Sequence, residues 1–426
     1  MMKKRVVVTG IGIVAPNGIG KEAFRTALEN GTSGIKFDKQ LEDLNFSCKV
    51  SGRPDLSLDY IKTFFTDYEL RNFSATGILY GVIAGMQAWK DAGLDIASKE
   101  EPDWNSGTIF GCSTSGIEKF RECIFKIDDL QTRSLGSTVV AQTMNSGVSA
   151  YLAGKLGLGN QVTSNSSACT TGTESMLSAF ERIQSGKALR MLAGSTSDSG
   201  PYIWAGFDAI KVCTFRHNDT PEMASRPMSE TASGFVPSSG AGAYVLEELE
   251  SALARNATIY AEVLGGNVNS GGQRGTGTMT APNSQAVQKC ITDALSDAGI
   301  QANDIDVING HLTATAKDAT EIENWSKALG RNAADFPYIN ALKGMVGHCL
   351  SGAGSVELVS AIMEIHHDFI FPSINCPDLH PEILKLITLD RVPQKALYQP
   401  VNVIIKASFG FGDVNACVIL KKYKND

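Results

Sequence analysis

The chain has 426 residues, 43% of them hydrophobic, which is enough to bury a large core and predicts two or three structural units. A formal net charge of −7 at pH 7, with no basic stripe, argues against nucleic acid as a partner. No apolar run approaches the roughly 18 residues that a membrane span needs, so no span is predicted. Nine cysteines, odd in number and without C-x-x-C spacing, predict reduced thiols and a cytoplasmic location.

In chain order, strands and helices alternate twice. Lys3-Lys4-Arg5 followed by an apolar run imitates a signal peptide, but the run breaks at Thr9-Gly10 and again at Pro16-Asn17-Gly18, so Arg5–Val8 reads as a first strand. Gly10-Ile11-Gly12-Ile13-Val14-Ala15 satisfies a loose dinucleotide fingerprint. Pro16-Asn17-Gly18 falls where the helix that receives a pyrophosphate should already be running. Tyr151-Leu152-Ala153-Gly154-Lys155 copies the Tyr-x-x-x-Lys pair of short-chain reductases, a motif short enough to arise by chance. These two features make a nicotinamide-dependent reductase the remote alternative.

Gln161-Val162-Thr163 predicts a short strand, and Met176, Leu177, Phe180 and Ile183 predict a helix that stops at Ser185-Gly186. Cys169 stands between them. A thiol there faces unpaired backbone N–H groups and the positive end of a helix dipole, which favours thiolate. Taken alone, a free cysteine is as readily a small buried hydrophobe. The first half closes with the strand Tyr244–Leu246, and the charged stretch Glu247–Arg255 marks a boundary, giving units 1–250 and 251–426.

The second half restarts at Ile259–Leu264 and adds a helix over Ala286–Ala298. The strand Ile305–Gly310 then leads into His311. His348 ends the run Asn340–His348, just before a helical pattern through Val356, Val359, Ile362 and Met363, and a hairpin follows around Phe409–Asp413. Only six histidines are present. Two of them stand at a strand's C-terminal end or a helix mouth, where α/β sheets gather their chemistry, and they join Cys169 as a candidate catalytic set. Sequence alone supports an α/β fold, duplicated, with no short repeat.

Six motifs in order carry a family resemblance. They are Arg5–Gly12 with Pro16 and Gly18, Ala168–Gly172, Ser225-Arg226-Pro227 with Gly234-Phe235-Val236, Gly240–Ala243 before Val245-Leu246-Glu247, Lys343–His348, and Ser408–Gly412. With these the chain resembles, nearly end to end, a β-ketoacyl-acyl carrier protein synthase of the elongating (type I/II) kind, a ketosynthase of the thiolase superfamily. The resemblance implies the α/β thiolase fold, two similar halves in a five-layered αβαβα core. It implies an acyltransferase that joins an acyl-enzyme thioester to malonyl-acyl carrier protein with loss of CO2, in fatty acid or specialised polyene or polyketide synthesis.

By that resemblance Cys169 carries the acyl group. His311 and His348 stabilise the enolate through neutral imidazole N–H groups, and the backbone N–H groups of Cys169 and Phe411 hold the tetrahedral oxyanion. Lys343 joins the catalytic set, with Glu357 as its partner; a structural Lys–Glu pair is the alternative. Thr313 and Thr315 lie along the phosphopantetheine arm, and Phe409 and Phe411 bind substrate, Phe411 as a gate. Thr114 lies at the far end of the acyl pocket.

The partner implied is an acyl carrier protein, met by a local basic patch for which Arg71 and Arg216 are candidates. No metal and no cofactor is expected, the phosphopantetheine arm arriving on the carrier. The subunit pairs as a homodimer, or as the active half of a heterodimer with a chain-length-factor-like subunit. The chain departs from the family at His311-Leu312-Thr313, where His-Gly-Thr is usual, in a shortened loop Thr315–Asp318, and at Asp413, where the closing loop usually has Gly. These departures open a specialised pathway. Asp413 either restricts the loop's motion or merely caps the hairpin.

Overall fold

The structure, a computed structural model, describes residues 3–424. Its first half contains β1 (Val6–Ala15), β2 (Ser106–Cys112), β3 (Val162–Thr163), β4 (Arg190–Ser197) and β5 (Gly240–Glu248), in spatial order β3-β2-β4-β5-β1. The second half contains β6 (Ala261–Ser270), β7 (Val307–Asn309), β8 (Tyr338–Asn340), β9 (Val403–Gly410) and β10 (Val414–Lys421), in order β8-β7-β9-β10-β6. Each order reads third, second, fourth, fifth, first. The pairing directions also repeat: first against fifth and fifth against fourth are antiparallel, and the remaining two pairs are parallel. The expected duplication is therefore present strand for strand. The two first strands pair with each other antiparallel, Val6 opposite Val263 and Val8 opposite Ala261, which joins both halves into one path of strands.

The helices that matter here are α1 (Thr76–Asp91), α2 (Ile117–Asp128), α3 (Thr171–Gln184), α4 (Ser284–Ala298), α5 (Asp318–Leu329) and α6 (Ala353–His367). α1 covers the outer face of the first half, α4 and α5 cover the outer face of the second, and α3 and α6 lie between the two half-sheets. These are the five layers. α6 is buried on every side from Ala353 to Ile365, as a helix between two sheets must be. α3 and α6 approach closely because glycines meet there: a Cβ on Gly172 would stand 2.3 Å from the Ser355 backbone nitrogen. The chain passes from one half to the other through the short helix Leu249–Ala254.

β1 is longer than the Arg5–Val8 strand expected. It runs to Ala15 because every residue in it is buried, Gly10 and Gly12 included. A Cβ on Gly10 would lie 2.2 Å from Ala88 O, and one on Gly12 1.9 Å from Ala84 O, so these glycines let α1 lie against the strand. They form no phosphate loop: the next helix starts only at Lys21, after a tight hairpin to Gly18–Ile19. The reductase-like pair is structural too. Tyr151 packs edge-on against Phe65 and Phe73, and Lys155 pairs with Glu69 at 2.6 Å. Among the described residues, no helix is long and apolar enough to cross a membrane.

Candidate active site

Cys169 sits in a three-residue 3-10 turn, Ala168–Thr170, between β3 and α3. Ala168 holds φ at 50°, a left-handed conformation that costs a non-glycine residue about 1–2 kcal/mol. Thr171 Oγ1 offsets this by donating to Ala168 O at 2.7 Å and accepting the Ser167 N–H at 2.9 Å. Asn165 Nδ2 then donates to Thr171 O at 2.8 Å, so the turn is fixed from both sides. Cys169 is half-buried, whereas the other eight cysteines are all buried.

His311 follows β7 after Gly310. Its loop is held by two buried carboxylates on α5 that sequence reasoning missed. Glu321 accepts the backbone N–H groups of His311 at 2.7 Å and Leu312 at 2.8 Å. Asp318 accepts those of Thr313 at 2.9 Å, Ala314 at 3.1 Å and Met228 at 2.9 Å. Burial pushes Glu321 up to about 7 and Asp318 up to about 6, against the pull of these N–H donors. The signal that could have found them is an acidic pair in the first turn of the helix after the histidine loop. The same carboxylates hold Leu312 and Ala314 at φ 21° and 60°.

The two imidazoles have one tautomer each. Leu350 N–H donates to His348 Nδ1 at 3.0 Å, and the Lys343 ammonium approaches His311 Nδ1 at 3.4 Å. Both rings therefore carry their proton on Nε2. Burial, reinforced by the Lys343 charge, holds both histidines well below the ordinary value of 6.5, so they are neutral at pH 7. Their ring centroids are 5.6 Å apart and nearly perpendicular. Lys343 also donates to His311 O at 2.5 Å and pairs with Glu357.

The structure brings Cys169, His311 and His348 together, with one ligand atom from each lying within 4.8 Å of the others. A metal ion can use such a spacing, but the Lys343 and Lys406 ammonium groups packed near the histidines oppose a dication. The thiol opens into a cavity of about 270 Å³, lined mainly by apolar surface from Ile117, Tyr202, Ile203, Phe207 and Phe411. Thr114 also lines it and is itself exposed. The Phe411 ring packs against Phe207 at 6.0 Å, and its backbone N–H is directed at the Cys169 thiol.

Three expectations need correction or refinement. Cys169 is not activated at rest: burial pushes its thiol up to about 11, more than the Lys343 charge and the Phe411 N–H pull it down. The turn of helix in front of it is too small a field to offset that loss of solvent. Phe409 does not line the cavity. It is buried behind His311, edge-on with centroids 5.9 Å apart. Asp413 does more than cap a hairpin: its carboxylate accepts the N–H of Gln273 at 2.8 Å and of Asn283 at 2.7 Å, fastening the loop 271–283 to the β9–β10 turn. Thr313 and Thr315 are half-buried with their hydroxyls 3.1 Å apart, and Glu357 is buried.

Comparison with known proteins gives the family. The N-terminal domain pattern of the beta-ketoacyl synthases matches residues 3–252, and their C-terminal domain pattern matches residues 260–377. The chain is 33% identical over 427 residues to 3-oxoacyl-[acyl-carrier-protein] synthase 1 of Escherichia coli, covering 99% of this chain and 100% of that one. It is 34% identical over 426 residues to 3-oxoacyl-[acyl-carrier-protein] synthase 2 of Vibrio harveyi, covering 99% of each. Among solved structures it superposes with a TM-score of 0.86 on a type II polyketide ketosynthase in complex with its acyl-carrier protein, at 26% identity over 99% of this chain and 100% of that one. The ishigamide ketosynthase/chain length factor gives a TM-score of 0.86 at 27% identity, with the same coverage. With the family patterns spanning both halves and the thiol and two imidazoles meeting where the halves join, the chain belongs to the beta-ketoacyl synthase family.

Proposed function

We propose that this chain is an elongating β-ketoacyl-acyl carrier protein synthase, with Cys169 as nucleophile and His311 and His348 as donors to the enolate. The observation that carries the reading is the meeting of Cys169, His311 and His348 within 4.8 Å at an apolar cavity. Cys169 Sγ attacks the acyl thioester; the acyl–sulfur bond to the carrier breaks, and the thiol proton leaves on the released carrier thiol. The malonyl thioester then loses CO2, and the electron pair of the broken C–C bond passes to its thioester oxygen. The Nε2–H groups of His311 and His348 face that charge in a site without reorganisation cost. The α-carbon attacks the acyl carbonyl, whose oxyanion the Cys169 and Phe411 N–H groups receive. Cys169 leaves and regains a proton from solvent.

The substrate arm is the phosphopantetheine of an acyl carrier protein, passing Thr313 and Thr315, and no further cofactor is required. A partner subunit covers the exposed apolar side chains Phe120, Ile124, Phe125 and Ile127 of α2, whose first residue Ile117 lines the cavity, with Tyr202, another lining residue, and Val162 on edge strand β3. A second copy of the chain or a chain-length-factor-like subunit fits this surface. The free state of all nine cysteines supports the cytoplasm as its place of work.

The test is mass spectrometry of Cys169 after incubation with a panel of acyl-carrier thioesters, followed by malonyl-carrier. The acyl mass appears on Cys169 and is then lost as a product two carbons longer. Product formation without Cys169 acylation would overturn the reading.

A further inference from the structure

Lys406 on β9 is fully buried, and nothing in the chemistry above uses it. Its Nζ lies 2.8 Å from Glu357 Oε2, while the other carboxylate oxygen of Glu357 holds Lys343. The Lys406 ammonium also gives protons to Ala407 O and, at 3.1 Å, to Ser408 Oγ. Ser408 Oγ in turn meets Thr173 Oγ1 on α3 at 2.9 Å, so Lys406 is tied to the helix that follows Cys169.

One carboxylate between two ammonium groups is not what a purely structural ion pair requires. A single lysine neutralises Glu357, and a second buried charge costs several kcal/mol unless something uses it. The cluster carries one excess positive charge beside a site where an anion arrives and an enolate forms. Position alone distinguishes the lysines: Lys343 touches His311 directly, and Lys406 touches only Glu357 and its own strand.

We propose that Lys406 is a positioning residue for the condensation, fixing Glu357 so that Lys343 stays committed to His311 and supplying the excess positive charge that the malonyl group meets. The inference rests on the proposed function of the same site. The groups facing His311 and His348 are Lys343 before His348, Lys406 on β9, Glu357 on α6, Glu321 and Asp318 on α5, and the Cys169 thiol. Burial is the main reason that both imidazoles are neutral; the Lys343 charge and then the Lys406 charge add to it, and burial of Lys406 pulls its own ammonium below the ordinary lysine value. Removing the Lys406 charge therefore lets both histidines bind a proton at higher pH.

The experiment uses the full chain as Lys406→Met, Lys406→Gln and Lys406→Arg, with two readouts: the pH profile of malonyl-carrier decarboxylation and the rate of Cys169 acylation by mass spectrometry. In the Met and Gln variants the acid limb of decarboxylation moves up by about half a pH unit or more. The KM for malonyl-carrier rises about threefold or more, while Cys169 acylation stays within about threefold of wild type. Lys406→Arg restores the acid limb. An unmoved acid limb with decarboxylation within about twofold of wild type overturns the proposal. So does failure of both neutral variants to fold, which would make Lys406 a structural counter-charge. Absence of Cys169 acylation in the wild type would instead refute the proposed function.

Discussion

Cys169 and Ser351 occupy the same place in two copies of one local structure. Ala168 and Leu350 both hold φ at 50°, each opens a three-residue 3-10 turn, and each turn runs straight into a long central helix, α3 or α6. Cys169 is the second residue of its turn and Ser351 the second of its own, and both line the cavity. Their chemistry has separated. Ser351 Oγ is bound to Thr196 O at 2.6 Å and is buried, whereas Cys169 is left open to the cavity. A duplicated turn thus presents one reactive atom and one packing atom, and the histidines come from the half whose turn carries the hydroxyl.

The division of labour is testable by substitution. Cys169→Ala abolishes condensation while malonyl decarboxylation survives. His311→Ala or His348→Ala slows decarboxylation on the order of 100- to 1000-fold, the usual cost of one oxyanion-type donor, with Cys169 acylation less affected. Full-rate decarboxylation in His348→Ala would sink the assignment.

Alkylation separates exposure from acidity. Brief treatment with iodoacetamide labels Cys169 ahead of the other eight cysteines, because they are buried and it is only half-buried. Since burial raises its thiol to about 11, the labelling rate keeps climbing between pH 7 and pH 10. A plateau near neutral pH, seen by peptide mapping, would show a thiolate already formed at rest.

The pH profile of decarboxylation follows from the neutral histidines. Their folded values lie well below 6.5, so the neutral form, whose Nδ1 accepts from Leu350 N–H in His348 and faces the Lys343 ammonium in His311, persists at pH 6.5 and is lost only as pH falls toward the depressed value. The decarboxylation rate is expected to be flat from pH 6.5 to 8 and to decline well below pH 6.5. An inflection centred on pH 6.5 would mean that the imidazoles are exposed to solvent.

Asp413 offers a stability and mobility test. Asp413 has φ 61°, so Asp413→Gly keeps the backbone conformation while removing the acceptor for the Gln273 and Asn283 N–H groups. Leaving those donors unpaired costs about 1–3 kcal/mol. Hydrogen exchange over residues 271–283 should accelerate while β9 and β10 stay protected. Unchanged exchange would return Asp413 to a simple hairpin cap.

Thr114 tests the depth of the cavity. It lines the cavity yet is exposed in the single chain, so the space there extends toward the surface. Thr114→Phe should block long or aromatic acyl chains while short-chain acylation of Cys169 persists, since a ring at the cavity wall takes up the space that a long chain needs. Equal loss at every chain length would show that residue 114 does not bound the acyl chain.

Much of this protein is written in its local sequence. The duplication, the strand before each catalytic residue, the Cys169 turn and both histidine positions depend on hydrophobic periodicity and on turn residues, which act over a few neighbours. What required the tertiary structure is everything set by burial and by distant partners. The dipole argument for an acidic Cys169 failed because desolvation by both halves outweighs one turn of helix. Asp318 and Glu321 look like ordinary first-turn acids until the fold buries them under the His311 loop. Lys406 looks like one more lysine in a strand, and only the approach of α6 places Glu357 between it and Lys343. Periodicity tells which way a side chain faces; which charge it meets there is decided by elements far away in the chain.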